Sequence, residues 1–123
     1  MSELNLPEGA AEPGVAAPGC ACTLFAVVNA AGNLVRGCGA VAAVHPAVGV
    51  YGVSFAQNVA SCAWVATIGL PNNDGNLPPG VISVAGGPAP NEVLVRTFDC
   101  RGCEPADRPF HLAVHCCPEE DKD

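Results

Sequence analysis

The sequence predicts an all-β chain, an antiparallel β-sandwich or jelly-roll-like domain of about seven strands preceded by an extended arm. Three observations lead there. Short runs rich in Val, Ile and aromatic residues recur with a period of two, the alternation of side chains along a strand. Turn-forming residues separate these runs at fairly regular spacing, with 14 Gly and 12 Pro among 123 residues. No segment carries the 3.6-residue period of an amphipathic helix.

Residues 1–19 read as a flexible or extended arm. Glu3, Glu8 and Glu12 are spread among Pro7, Pro13 and Pro18, and nothing there can fill a core. The β-sandwich domain is expected over 20–117. Cys22 to Asn29 is its first strand, and Ala30 to Asn33 a turn whose Gly and Asn tolerate positive φ. Leu34 to His45 reads as one second strand ended by Pro46. Its Gly37, Gly39, Ala40, Ala42 and Ala43 suggest a bulge or close approach by another backbone.

Val48 to Phe55 and Cys62 to Ile68 are expected to pair as an antiparallel hairpin across a six-residue polar connection. This stretch holds the only Tyr and the only Trp, and large rings dominate the burial of a small core. The expected core is Phe25, Tyr51, Phe55, Trp64 and Phe110. A polar loop from Gly69 to Gly80 follows, then a short strand from Val81 to Ala85 and a turn from Gly86 to Asn91. Glu92 to Phe98 alternates strictly, with Val93, Val95 and Thr97 on one side. Asp99 to Pro109 is a loop, Phe110 to Cys116 the last strand, and 118–123 an acidic tail.

The net charge is −7, and Glu119, Glu120, Asp121 and Asp123 supply much of it. Such a balance argues against nucleic acid as a partner, since its phosphates need a basic patch. It also argues against anionic membrane surfaces. No stretch is long and apolar enough to span a bilayer as a helix.

Eight cysteines are dense for this length. Outside a reducing cytosol such density means disulfides, and inside it metal. Met1 to Leu6 has neither the basic start nor the apolar run of a signal peptide. Oxidation after release by lysis or particle assembly reconciles the two. Cys20, Cys22, Cys38, Cys62, Cys100, Cys103, Cys116 and Cys117 are all disulfide candidates, and eight cysteines allow 105 pairings. Cys62 and Cys116 face the same way as core residues. Cys116 and Cys117 point to opposite faces of a strand and so need different partners.

Zinc is the rival use. Cys100-x-x-Cys103 has metal-ligand spacing, and His111 and His115 follow it. The two His lie four residues apart on a strand, about 13 Å, too far for one ion without a bend. A thioredoxin-like use of Cys100 and Cys103 lacks the surrounding βαβ pattern. No serine or cysteine stands in a nucleophile motif, and Asp107-Arg108 reads as a local ion pair at a turn. The chain is therefore expected to be no enzyme and to need no cofactor.

Several segments together resemble a known small β-domain. They are Phe25-Ala-Val-Val-Asn-Ala-Ala-Gly-Asn-Leu-Val-Arg-Gly37, Gly49-Val-Tyr-Gly-Val-Ser-Phe55, Cys62-Ala-Trp-Val-Ala-Thr-Ile-Gly69 and Asp107-Arg-Pro-Phe-His-Leu-Ala-Val114. The domain they resemble ends bacterial collagen-like surface proteins and phage fibre or spike proteins. The resemblance spans about 23–116. It implies a non-enzymatic, exposed, trimeric module. The chain departs from that pattern in having no stalk and in its extra cysteines. A stand-alone module with an arm suits a decoration protein on a capsid or fibre, a homotrimer at a virion surface or in the extracellular space. A tip or adhesin module binding a receptor or glycan through the 69–80 loop is the alternative, although that loop has no aromatic residue.

Overall fold

The computed structural model describes residues 23–117. The expected arm and acidic tail lie outside them. Eight strands are present rather than seven: β1 (Thr23–Val28), β2 (Leu34–Cys38), β3 (Ala40–Ala47), β4 (Val50–Phe55), β5 (Ala63–Ile68), β6 (Val81–Gly86), β7 (Glu92–Phe98) and β8 (Phe110–His115). They form two four-stranded sheets, all strand pairs antiparallel, in the orders β2-β1-β8-β5 and β3-β4-β7-β6. The fold is a β-sandwich.

The core lies between the sheets. Leu24, Ala26 and Val28 of β1 and Phe110, Leu112 and Val114 of β8 face Tyr51, Val53 and Phe55 of β4 and Val93 and Val95 of β7. Each side chain is withdrawn from water, worth about 1.5–3 kcal/mol for a full-sized apolar group. Thr97, the one buried polar side chain among the described residues, donates its hydroxyl to the Ala106 carbonyl, which removes the cost of an unpaired group.

The expected second strand is two strands. The chain bends at Gly39, where φ is +83°, and leaves the first sheet for the second. A Cβ there would lie 2.7 Å from Leu24 Cδ2. Glycine meets both the positive φ and the close contact. Pro46 does not end β3 but lies within it, at an irregularity on an edge strand where its missing N–H breaks no ladder.

The expected hairpin is not formed, for β4 and β5 belong to different sheets. Their connection crosses the top of the sandwich and is tied to the β6–β7 turn. Phe55 N–H donates to Asn91 O and Val59 N–H to Pro90 O, both at 2.8 Å. Val59 is fully buried and closes that end of the core.

Tyr51, Phe55 and Phe110 fill the core as expected. Phe25 does not, for it is 39% exposed. Leu24, Ala26 and Val28 take the inward positions of β1, so Phe25 points to the opposite face. Trp64 is half-buried, because β5 and β6 are the sandwich edges. Its indole packs over Gly86 and donates Nε1–H to Val59 O at 3.0 Å.

Candidate functional site

Along the outer face of the first sheet the strands align their outward residues in three rows. Phe25, Ala113 and Val65 stand side by side on β1, β8 and β5; Thr23, His115 and Ala63 form the row at one end, and Val27, His111 and Thr67 the row at the other. Ala113 is small and its neighbours are large. The face therefore sinks into a trough of ≈ 370 Å³ with Phe25 and Val65 as walls. Val65, midway along the edge strand β5, is 66% exposed, a large aliphatic surface left to water.

Polar groups close the ends of the trough. Arg36 of β2 is in register with Val27 and reaches the far side of the sheet, donating Nη1–H to Pro71 O at 2.8 Å. His111 Nε2–H donates to Leu70 O at 3.0 Å. His115 Nδ1 lies 3.1 Å from Thr23 Oγ1. The side chains lining the trough include a guanidinium and an imidazole but no carboxylate.

The outer face of the second sheet repeats the plan. Gly52 is the small central residue, flanked in register by Val44 and Leu94. With Pro46, Pro88 and Glu92 they line a groove of ≈ 180 Å³. The charge at its end is negative: Glu92 accepts from Ser54 Oγ at 3.4 Å and from the Ala89 amide at 3.3 Å. Arg96 lies further along β7, over the Phe98 ring.

At one end of the sandwich Asp107 makes a clamp. Its Oδ1 accepts from the Gly49 amide at 2.8 Å and pairs with His45 Nε2 at 2.9 Å, and His45 stacks on Tyr51 at 4.3 Å. The expected Asp107–Arg108 ion pair is not what forms. Arg108 donates to the backbone carbonyls of Pro79 and Asp107 instead. The Gly49 amide first, and His45 next, hold the Asp107 carboxyl below its ordinary 3.8, against a smaller opposing effect of burial. A depressed carboxyl stabilises the fold above its unfolded value and loses that contribution as pH falls through the folded one. Melting temperatures measured from about pH 5 down to about pH 2 are expected to fall more steeply in the wild type than in Asp107→Asn.

The cysteines divide into classes. Cys62 and Cys116 form a disulfide across β5 and β8 with Cα atoms 4.6 Å apart, and Cys38 is also disulfide-bonded. Cys100, Cys103 and Cys117, three of the eight candidates, are exposed free thiols. Cys117 follows the inward Cys116 and so points to solvent, while Cys100 and Cys103 occupy a loop away from the core. Cys20 and Cys22 lie outside the described residues. Cys100, Cys103, His111 and His115 are not brought together, and no group of three such side chains able to hold a metal occurs among the described residues. Both His already have polar partners, His111 the Leu70 carbonyl and His115 the Thr23 hydroxyl.

The trough was missed from sequence because Phe25 read as core. The signal was present in Ala63, Val65 and Ala113, an apolar second face on strands whose first face was already apolar. Comparison with known proteins finds no matching family model, curated protein or solved structure.

Proposed function

We propose that this chain is a non-enzymatic structural protein that self-associates through its β-domain and decorates the exterior of a phage or virus-like particle. The observation that supports self-association is the pair of apolar outer faces. Exposed apolar surface that is contiguous and rimmed by polar groups marks an interaction site. Four strands about 4.8 Å apart and six residues of about 3.3 Å give one face roughly 400 Å². That is about half of the ~800 Å² per partner in a standard interface. Each trough-to-groove contact buries about 400 Å² per partner, a small interface, and a chain engaged through both faces buries about 800 Å² over its two contacts.

The occupant of the trough is the second-sheet groove of another copy. The Arg36 end is cationic and the Glu92 end anionic, so unlike faces attract where like faces do not. Such a head-to-tail contact uses two patches on opposite faces of the sandwich, so it extends as a stack unless the two contacts are inclined enough to close a ring. The resemblance to trimeric fibre-end domains supplies the particle setting and favours three copies.

Light scattering at micromolar concentration tests this. The wild type is expected at a multiple of the 12.4 kDa chain, three copies first. Val65→Asp is expected at one copy with an unchanged melting temperature, since Val65 contributes little to the core. A monomeric wild type would overturn self-association. An oligomeric Val65→Asp would remove the trough from the interface. Proteomic recovery of the chain from purified virions tests the setting.

A further inference from the structure

The loop after β7 carries a chemistry that self-association does not use. Phe98 and Pro105 form an antiparallel bridge, and the Asp99 amide donates to Glu104 O at 2.9 Å. Continuing that register inward places Cys100 opposite Cys103 across the two-residue tip Arg101–Gly102. Gly102 and Cys103, at φ +89° and +55°, turn the chain back. Directly opposed residues of an antiparallel pair have Cα atoms about 4.5–5.5 Å apart. That falls within the ~4.4–6.8 Å that a disulfide spans. The same relation holds where a bond exists, for the Ala63–His115 register extended by one residue opposes Cys62 to Cys116.

Both loop thiols are free and exposed. Cys100 lines a concavity of ≈ 400 Å³ with Pro79, Asp99, Arg101 and Arg108. Two guanidiniums against one carboxylate leave that concavity net positive. Arg108 is fixed there by its bonds to Pro79 O and Asp107 O, each 2.9 Å. Positive surroundings attract an anionic substrate.

We propose that Cys100 and Cys103 form a dithiol site that exchanges with an anionic low-molecular-weight disulfide and closes as a Cys100–Cys103 disulfide. The Cys100 thiolate attacks one sulfur of R–S–S–R, forming Cys100–S–S–R and expelling RS⁻. Cys103, deprotonated by solvent, attacks the Cys100 sulfur and expels the second RS⁻. Two electrons pass from the dithiol to the substrate. The two protons released by the cysteines are taken up by the two departing thiolates.

The test uses the full chain carrying Cys117→Ser, incubated with glutathione disulfide and digested with trypsin, which cuts between the two cysteines at Arg101. Closure is expected to remove both loop thiols, to join the peptides 97–101 and 102–122 through Cys100 and Cys103, and to leave no glutathione attached. Adding Cys103→Ser is expected to trap glutathione on Cys100. Cystamine, a cationic disulfide, is expected to react more slowly than glutathione disulfide. Persistent glutathione adducts on both loop cysteines, chain-to-chain links through them, or no reaction would each overturn the dithiol site. Faster reaction with cystamine would overturn the role of Arg101 and Arg108.

Discussion

Replacing both Cys62 and Cys116 by alanine is expected to lower the unfolding free energy by about 4 kcal/mol. The bond links residues 54 apart in sequence, and closing a loop of that length removes about this much chain entropy from the unfolded state. It also joins β8, an inner strand of the first sheet, to the edge strand β5. In the replaced protein β5 is held by its ladder and its half-buried face alone. Equilibrium unfolding in urea, with and without reductant, measures the effect. The reductant should destabilise the wild type and leave the double variant unmoved with respect to this bond. A double variant as stable as the wild type would show that the unfolded chain is already constrained elsewhere.

Tyr51→Ala is expected to cost about 3–5 kcal/mol, the range for removing a fully buried ring whose site cannot collapse. The ring is completely buried, stacks on His45, and meets the Phe110 ring edge-on at 5.1 Å. Burial, then the negative Asp107, push its hydroxyl above the ordinary value, so it stays protonated and donates to Ala30 O at 2.7 Å. That bond ties the second sheet to the β1–β2 turn of the first. Tyr51→Phe keeps the packing and leaves a carbonyl with one partner fewer, a loss of about 1 kcal/mol. Denaturant unfolding of the two variants separates ring from hydroxyl. Equal losses would place the whole effect in the hydrogen bond.

The alternation of Glu92 to Phe98 was legible to the residue, because one face of β7 is buried and period two has a single solution there. β1 is different. Leu24 and Phe25 are both large and apolar, and Val27 and Val28 repeat the ambiguity, so periodicity cannot say which set turns inward. The structure decides for Leu24, Ala26 and Val28, and the surplus becomes the trough. The false hairpin has a related cause. A six-residue connection fits a hairpin and a crossing between sheets equally well, and only tertiary contacts distinguish them. Val59, an apolar residue in an otherwise polar connection, was the one local sign that the loop caps a core. Gly39 was recognised as unusual without revealing that the chain changes sheets there. The Cys62–Cys116 pairing was open among 105 connectivities until β5 was placed beside β8.

The pairing of β1 with β8 has a consequence for biosynthesis. Among the described strands the first, β1, lies between β2 and the last, β8, and Thr23 pairs with His115 at the end of the described residues. Until β8 emerges, β1 and β5 have no bridge between them, and the inner face of the first sheet lacks Phe110, Leu112 and Val114. The second sheet, β3-β4-β7-β6, is complete once β7 has been made, yet the sheet opposite it then lacks the inner strand that joins β1 to β5. Folding is therefore expected to wait for β8 and to be slow for a domain of this size, as contacts of such long sequence separation require. A nascent chain held one strand short would expose the apolar faces that aggregate, making β8, Phe110–His115, the element whose arrival commits the domain to its native state.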